Sequence, residues 1–142
     1  MPYYARPANS ADDVPQLLKV HLQNVGKRAA EFAAEIGLDK EQARWVGLLH
    51  DLGKYSDEFQ QHRLCLNGDG TPNGLDAWRV EHACHGAAIA EQLEAREIAF
   101  AIAGHHSGLS ELLKIQQLRD DGRIELGTLQ SKALAVRPRA VG

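Results

Sequence analysis

The sequence predicts an all-α bundle, and three observations predict it. Hydrophobic residues make up 44% of the chain but aromatics only 6%, with Ala and Leu prominent, a balance that suits helices better than a β-sandwich. Apolar residues recur at three- and four-residue steps in segment after segment. No β-alternation runs longer than a few residues, and no internal repeat or low-complexity tract occurs. At 142 residues the chain is expected to form one domain, residues 1–142, with a real core.

The elements follow in order. From about Asp13 to Ile36, the residues Leu18, Val25, Ala29, Phe32 and Ile36 form an apolar stripe, and Gly37 supplies a stop. His21 shares that stripe with Leu18 and Val25, which predicts that it faces inward. Asp39 reads as the N-cap of a second helix, with Gln42 three residues on as in a capping box. This helix carries Trp45, Val46, Leu48 and Leu49, and delivers His50 and Asp51 at its C-terminal end, before Gly53. A short helix follows Ser56 through Phe59 towards Leu64, and residues 67–76, NGDGTPNGLD, form the clearest loop. Residues 80–95 read as a helix opened by His82 and carrying Ala83, Ala87, Ile89, Ala90 and Leu93. Residues 97–104, EIAFAIAG, are almost wholly apolar, which predicts burial on every side. They end in His105 and His106, then Ser107 and Gly108. An amphipathic helix is expected over residues 109–119, and the tail beyond it has weak periodicity.

Charge and cysteine content exclude several classes. The net charge of -3 announces no global basic field for nucleic acid. Residues 1–110 carry 10 basic and 15 acidic side chains and residues 111–142 carry 6 and 4, so only the C-terminal part is mildly basic. Cys65 and Cys84 show no CxxC spacing and read as two reduced thiols. The N-terminus has neither the cationic nor the apolar region of a secretion signal. The most apolar window, residues 86–104, is broken by Glu91, Glu94, Arg96 and Glu97, so no membrane span is expected. A soluble cytoplasmic protein with no membrane association is the expectation.

Five of the seven histidines, His21, His50, His82, His105 and His106, lie in or at the ends of these helical segments, with Asp51 beside one of them. Imidazoles rarely gather on the inner faces of successive helices without a ligand, and five of them with a carboxylate make up the ligands of a metal site, expected to be binuclear. Imidazole suits Zn, Ni, Co, Fe and Cu, whereas Mg and Ca prefer oxygen. Asp51 has two oxygens and can bridge two cations roughly 3.5–4 Å apart. His21 and His50 then suit one metal, and His82, His105 and His106 the other. Neighbours on a regular helix diverge by about 100°, so the His105–His106 pair is expected at a helix end with irregular backbone between Gly104 and Gly108. Lys54, one turn after Asp51, could contact a phosphate or stabilise charge built up on it. Ser107 and the Gly108 amide could also donate to a phosphate, though a simple turn serves equally well. His62, in the polar stretch FQQHR, reads as solvent-exposed, and His85 as a surface or supporting residue.

The set His21, HDLGK at residues 50–54, His82 and GHHSG at residues 104–108 resembles the HD superfamily of metal-dependent phosphohydrolases. HDLGKYSDEFQ at residues 50–60, the pattern of His82 with Gly86 and Ala87, and GHHSGL at residues 104–109 are similar to the HD nuclease of CRISPR type I interference systems. The resemblance covers roughly residues 15–115. It implies an α-helical HD-type bundle with a central metal site that cuts single-stranded DNA in the cytoplasm, in antiviral defence. Up to two transition metals, Mn, Co, Ni, Fe or Zn rather than Mg, would serve it. It implies His21, His50 and Asp51 on the first metal, Asp51, His82, His105 and His106 on the second, and Lys54 as the basic residue beside them. Asp51 and Lys54 carry the catalytic roles. The implied partners are a helicase domain or subunit and an RNA-guided surveillance complex. The family adds a late aspartate to the first metal. Asp120, Asp121 and Glu125 do not sit in its expected context, so the C-terminal part of the family domain is expected to be missing. Two other readings stay open: a nucleotide phosphohydrolase of the wider superfamily, and a catalytically weak metal-binding module that docks a partner.

Overall fold

Leu18, Leu22 and Leu52 are wholly buried, and the helices are arranged around them. The computed structural model describes residues 2–10 and 12–107. In chain order the elements are β1 (Tyr4–Arg6), β2 (Gln16–Leu17), α1 (Leu18–Glu35) and α2 (Lys40–Leu49), then a 3₁₀ turn (Leu52–Tyr55) and a π-helical turn (Phe59–Arg63), then α3 (Ala83–Gln92) and α4 (Arg96–Ser107). The all-α expectation holds for the bulk of the described chain. The two short strands add to it, pairing antiparallel with Tyr4 opposite Leu17 and Arg6 opposite Gln16. The first helix therefore starts at Leu18 rather than near Asp13, because the Leu18 amide is spent on the Tyr3 carbonyl at 2.8 Å. Strands of three and two residues are too short to print a period-2 pattern.

Both ends flanking the α1–α2 turn are capped as the residue types predict. Gly37, at φ +74°, closes α1 with Leu38 N–H donating to Ala33 O at 2.8 Å and Gly37 N–H to Ala34 O at 3.3 Å, a Schellman arrangement. Asp39 caps α2 by accepting from the amides of Glu41 and Gln42.

The buried face of α1 differs from the apolar stripe read in the sequence. It comprises Leu18, Leu22, Gly26, Ala30 and Ala33, whereas Phe32 is 58% and Ile36 72% exposed. The reason is a backbone contact. A Cβ on Gly47 would stand 2.6 Å from Gly26 Cα, so α1 and α2 touch main chain to main chain, and small residues rather than large apolar ones line that seam. On the other side of α2, a Cβ on Gly86 would overlap the Leu49 carbonyl, which seats α3 against the end of α2.

α4 packs on α3 through Ile98, Ala99, Ile102 and Ala103, while Phe100 is 47% exposed. The expectation of burial on every side fails: α3 and α2 cover one side of α4, and Glu97, Phe100 and Ala101 are exposed on the other. α4 also runs as regular helix through His105 and His106 to Ser107, not ending before them. The helix expected over residues 109–119 lies outside the described residues. The helix expected at 80–95 is shorter, with His82 at its N-cap and Glu94 at φ +59° after its last turn. Residues 67–76 are the predicted loop, tightened by Asn67 N–H to Thr71 O at 2.8 Å. Cys65 and Cys84 are free thiols. Among the described residues no helix is long and apolar enough to cross a membrane.

Two substitutions test these packing statements with opposite signs. Gly86→Ala should destabilise the protein by about 2–4 kcal/mol, since the new carbon meets backbone that cannot swing away. Glu94→Gly should stabilise it by about 1 kcal/mol by relieving a left-handed non-glycine residue. Chemical denaturation of both variants beside the parent chain measures the difference.

Candidate metal centre

α2 ends at Leu49, and His50 closes it as the C-cap with helical angles. Asp51 then leaves the helix at φ -113° and ψ 21°, before the 3₁₀ turn begins at Leu52. This break aims two adjacent side chains at one point. Asp51 is 5% exposed, and a buried carboxylate needs opposite charge or donors around it.

Imidazoles from α1, from α4, from the C-cap of α2 and from the N-cap of α3 surround it. The Nε2 atoms of His50 and His21 stand 3.2 and 3.5 Å from Asp51 Oδ2. Those of His82 and His105 stand 3.7 and 3.8 Å from Oδ1. The two carboxylate oxygens thus divide the histidines into two pairs. Lys54 Nζ, one turn on, lies 2.8 Å from Oδ2 and 3.4 Å from the Ala5 carbonyl.

Backbone carbonyls fix the ring tautomers. His50 Nδ1 donates to Gly47 O at 2.7 Å, His82 Nδ1 to Val80 O at 3.2 Å, and His105 Nδ1 to Ile102 O. A neutral imidazole that donates from Nδ1 presents a lone pair at Nε2. Three Nε2 lone pairs therefore face a carboxylate that also has only lone pairs to offer. Acceptors converge on acceptors in this way where a cation or protons lie between them. The distances agree: around a cation with bonds of about 2.1 Å, tetrahedral ligand atoms stand about 3.4 Å apart. The ligand atoms of His21, His50 and Asp51 lie within 4.8 Å of one another, and their burial and chemistry fit a divalent metal.

The same convergence sets the proton affinities. Burial alone would raise Asp51, but the ring nitrogens of His105, His21 and His50 outweigh it and hold the carboxyl well below the usual carboxylate range. Burial would lower His105, but Asp51 and the Ile102 carbonyl reverse the sign and raise it.

Supporting residues stand behind this set, and the sequence reading missed the foremost of them. Gln60 is buried in the π-helical turn. Its amide accepts from Tyr4 N–H at 3.0 Å and donates to Tyr4 O at 2.9 Å and to Lys54 O at 2.8 Å. One side chain thus ties β1 to the residue that carries the ammonium. A buried glutamine between Phe59 and Gln61 gives no warning of this, since its partners are backbone groups 6 and 56 positions away. Gly53 admits the α3 N-terminus: a Cβ there would overlap the His82 carbonyl and stand 2.6 Å from His85 Nδ1. His85 packs in this supporting position, where burial lowers its pKa.

His62 is a correction. It is not a freely exposed residue: its ring stacks on Trp78 at 3.8 Å between centroids and 15° between planes. His106 shares α4 with His105, but its side chain lies outside the described residues, as do Gly108 and the late acidic candidates Asp120, Asp121 and Glu125.

The HD domain family model matches residues 19–134. Ribonuclease Y of Lactobacillus helveticus is 34% identical over 98 residues, 69% of this chain and 15% of that protein. Ribonuclease Y 2 of Bdellovibrio bacteriovorus is 37% identical over 86 residues, 61% of this chain and 13% of that protein. The chain thus matches only a small part of each relative.

Because both carboxylate oxygens face imidazoles, Asp51→Ala should lower affinity for Mn or Zn by at least about 100-fold, while His62→Ala should leave it within about twofold. Titration calorimetry on the two variants reads the contrast. Equal losses would mean that the metal sits elsewhere.

Proposed function

The chain belongs to the HD domain family, a superfamily of metal-dependent phosphohydrolases, and from that premise we propose that it cuts single-stranded DNA as the nuclease of an RNA-guided antiviral system. The observation that carries the nuclease part is the single Asp51 carboxylate whose two oxygens each face a pair of imidazoles. DNA as the substrate, and a helicase domain or subunit with a surveillance complex as partners, rest on the resemblance of HDLGKYSDEFQ and GHHSGL to the CRISPR-associated HD nucleases. RNA is the second reading, favoured by the name of the relatives, Ribonuclease Y.

When bound, the metals would supply an activated water and neutralise charge on the scissile phosphate. In this reading His21, His50 and Asp51 would hold one cation, and Asp51, His82, His105 and His106 would hold the other. The Nδ1 hydrogen bonds of His50, His82 and His105 keep those three rings turned so that Nε2 faces the centre. Lys54 holds a fixed positive charge beside Asp51 and, in this reading, turns it on a phosphate oxygen as negative charge builds there. The site contributes ligands and charge rather than groups that read a base, so sequence preference should be weak.

Assays with Mn, Co, Ni, Zn and Mg on single-stranded DNA, single-stranded RNA, duplex and mononucleotides test the reading. Single-stranded DNA should be cut fastest, with Mn, Co or Ni, and chelator should abolish cutting. Faster cutting of RNA establishes the second reading, and faster turnover of mononucleotides points to a nucleotide phosphohydrolase. Metal binding without hydrolysis points to a docking module, and robust cutting in Mg alone contradicts the imidazole-rich ligand set. Lys54→Met should lower turnover by about 10²-fold without weakening metal binding, since it removes a cation from Asp51 rather than a ligand.

A further inference from the structure

Trp78 is 48% exposed, yet one face of its ring is fixed by the stack on His62. Its backbone is pinned too, with Trp78 N–H donating to the His62 carbonyl at 2.9 Å. The indole is therefore held rigid on one side and open to solvent on the other. His62 sits with its Nδ1 buried and without a hydrogen-bond partner among the described residues, so the ring is kept beneath the indole at some cost in desolvation.

The platform connects directly with the metal centre. His62 and Phe59 belong to the same π-helical turn, and the Phe59 ring lies 4.7 Å from the ring of His82. His82 in turn faces Asp51 Oδ1. Trp78 precedes His82 by four residues of chain without regular structure, which spans at most about 14 Å. Arg63 is exposed beside His62, and Arg79 follows Trp78 with a side chain 87% exposed, only loosely held by Glu81 at 3.9 Å. An open aromatic face, with an exposed arginine next in sequence to each member of the stack, suits a base stacked on a ring with its phosphates beside guanidinium groups.

The geometry points to Trp78 as a base-stacking platform that seats an unpaired nucleotide of the substrate strand beside the metal centre, with Arg63 and Arg79 on the flanking phosphates. This rests on the reading of the centre as a nuclease site. It assigns to the loop before α3 the positioning of the strand, a task the metal ligands do not perform. Stacking tolerates any base, so it adds hold without sequence preference.

Binding is measured in chelator, where no cutting occurs, with the Trp45→Phe variant so that Trp78 is the only tryptophan left. Addition of oligothymidine or oligouridine should quench its fluorescence. Trp78→Ala should weaken oligonucleotide binding by roughly 5- to 100-fold, and Trp78→Phe should recover part of that loss. With Mn present, Trp78→Ala should cost oligonucleotide cleavage far more than hydrolysis of bis(4-nitrophenyl) phosphate, which has no strand for the platform to seat. No quenching, or an equal loss of oligonucleotide and small-ester cleavage, would overturn the platform. A parent chain that hydrolyses the small ester and mononucleotides but neither binds nor cuts oligonucleotides would instead defeat the nuclease reading itself.

Discussion

A carboxylate taken almost entirely out of water must be met by positive charge, and Asp51 dictates much of what surrounds it. Four imidazole nitrogens and one ammonium point at its two oxygens, from α1, from the end of α2, from the turn after it, from the N-cap of α3 and from α4. Removing any one helix would remove a ligand. The fold is thus fastened at its centre by polar atoms, while the leucine and alanine core around them supplies the non-directional share of the stability.

Bringing so many side chains to one carboxylate needs helices closer than large residues permit. Gly26 and Gly47 let α1 and α2 meet at the backbone, Gly86 lets α3 sit on the last carbonyl of α2, and Gly53 opens space for the start of α3. These glycines explain in steric terms two features that read in the sequence only as motif letters: the glycine after the His-Asp-Leu run, and the glycine four residues after His82.

What could be read from the sequence follows from what side chains advertise locally. His21, His50, His82 and His105 stood out because imidazoles on apolar helix faces have few uses, and Asp51 because it adjoins one of them. Gly37 and Asp39 were readable as caps because their roles depend on neighbours within a few positions. The α1 stripe was misread because hydrophobic periodicity weights Phe32 and Ile36 above Gly26 and Ala30, whereas the seam with α2 selects for smallness. Gln60 and the His62–Trp78 stack left no trace because their partners are distant in sequence and their residue types are ordinary surface ones. His105 and His106 lie in the last described turn of α4, but the backbone there is regular helix through Ser107 where irregular backbone was expected. One histidine can face inward from an intact helix, and the argument against two applies only if both do.

The Gln60 hydrogen bonds move the boundary of the working unit. The family match opens at residue 19, inside α1, yet the support of Lys54 runs through Gln60 to the main chain of Tyr4 and directly to the carbonyl of Ala5. Those contacts reach back 49 and 56 positions to the very first strand. A segment grafted into another scaffold from the family boundary onward would carry every histidine named above and still leave the Gln60 amide facing an empty wall. For recombination, whether by evolution or at the bench, the smallest transplantable piece is therefore set by a glutamine and a strand rather than by the metal-ligand signature.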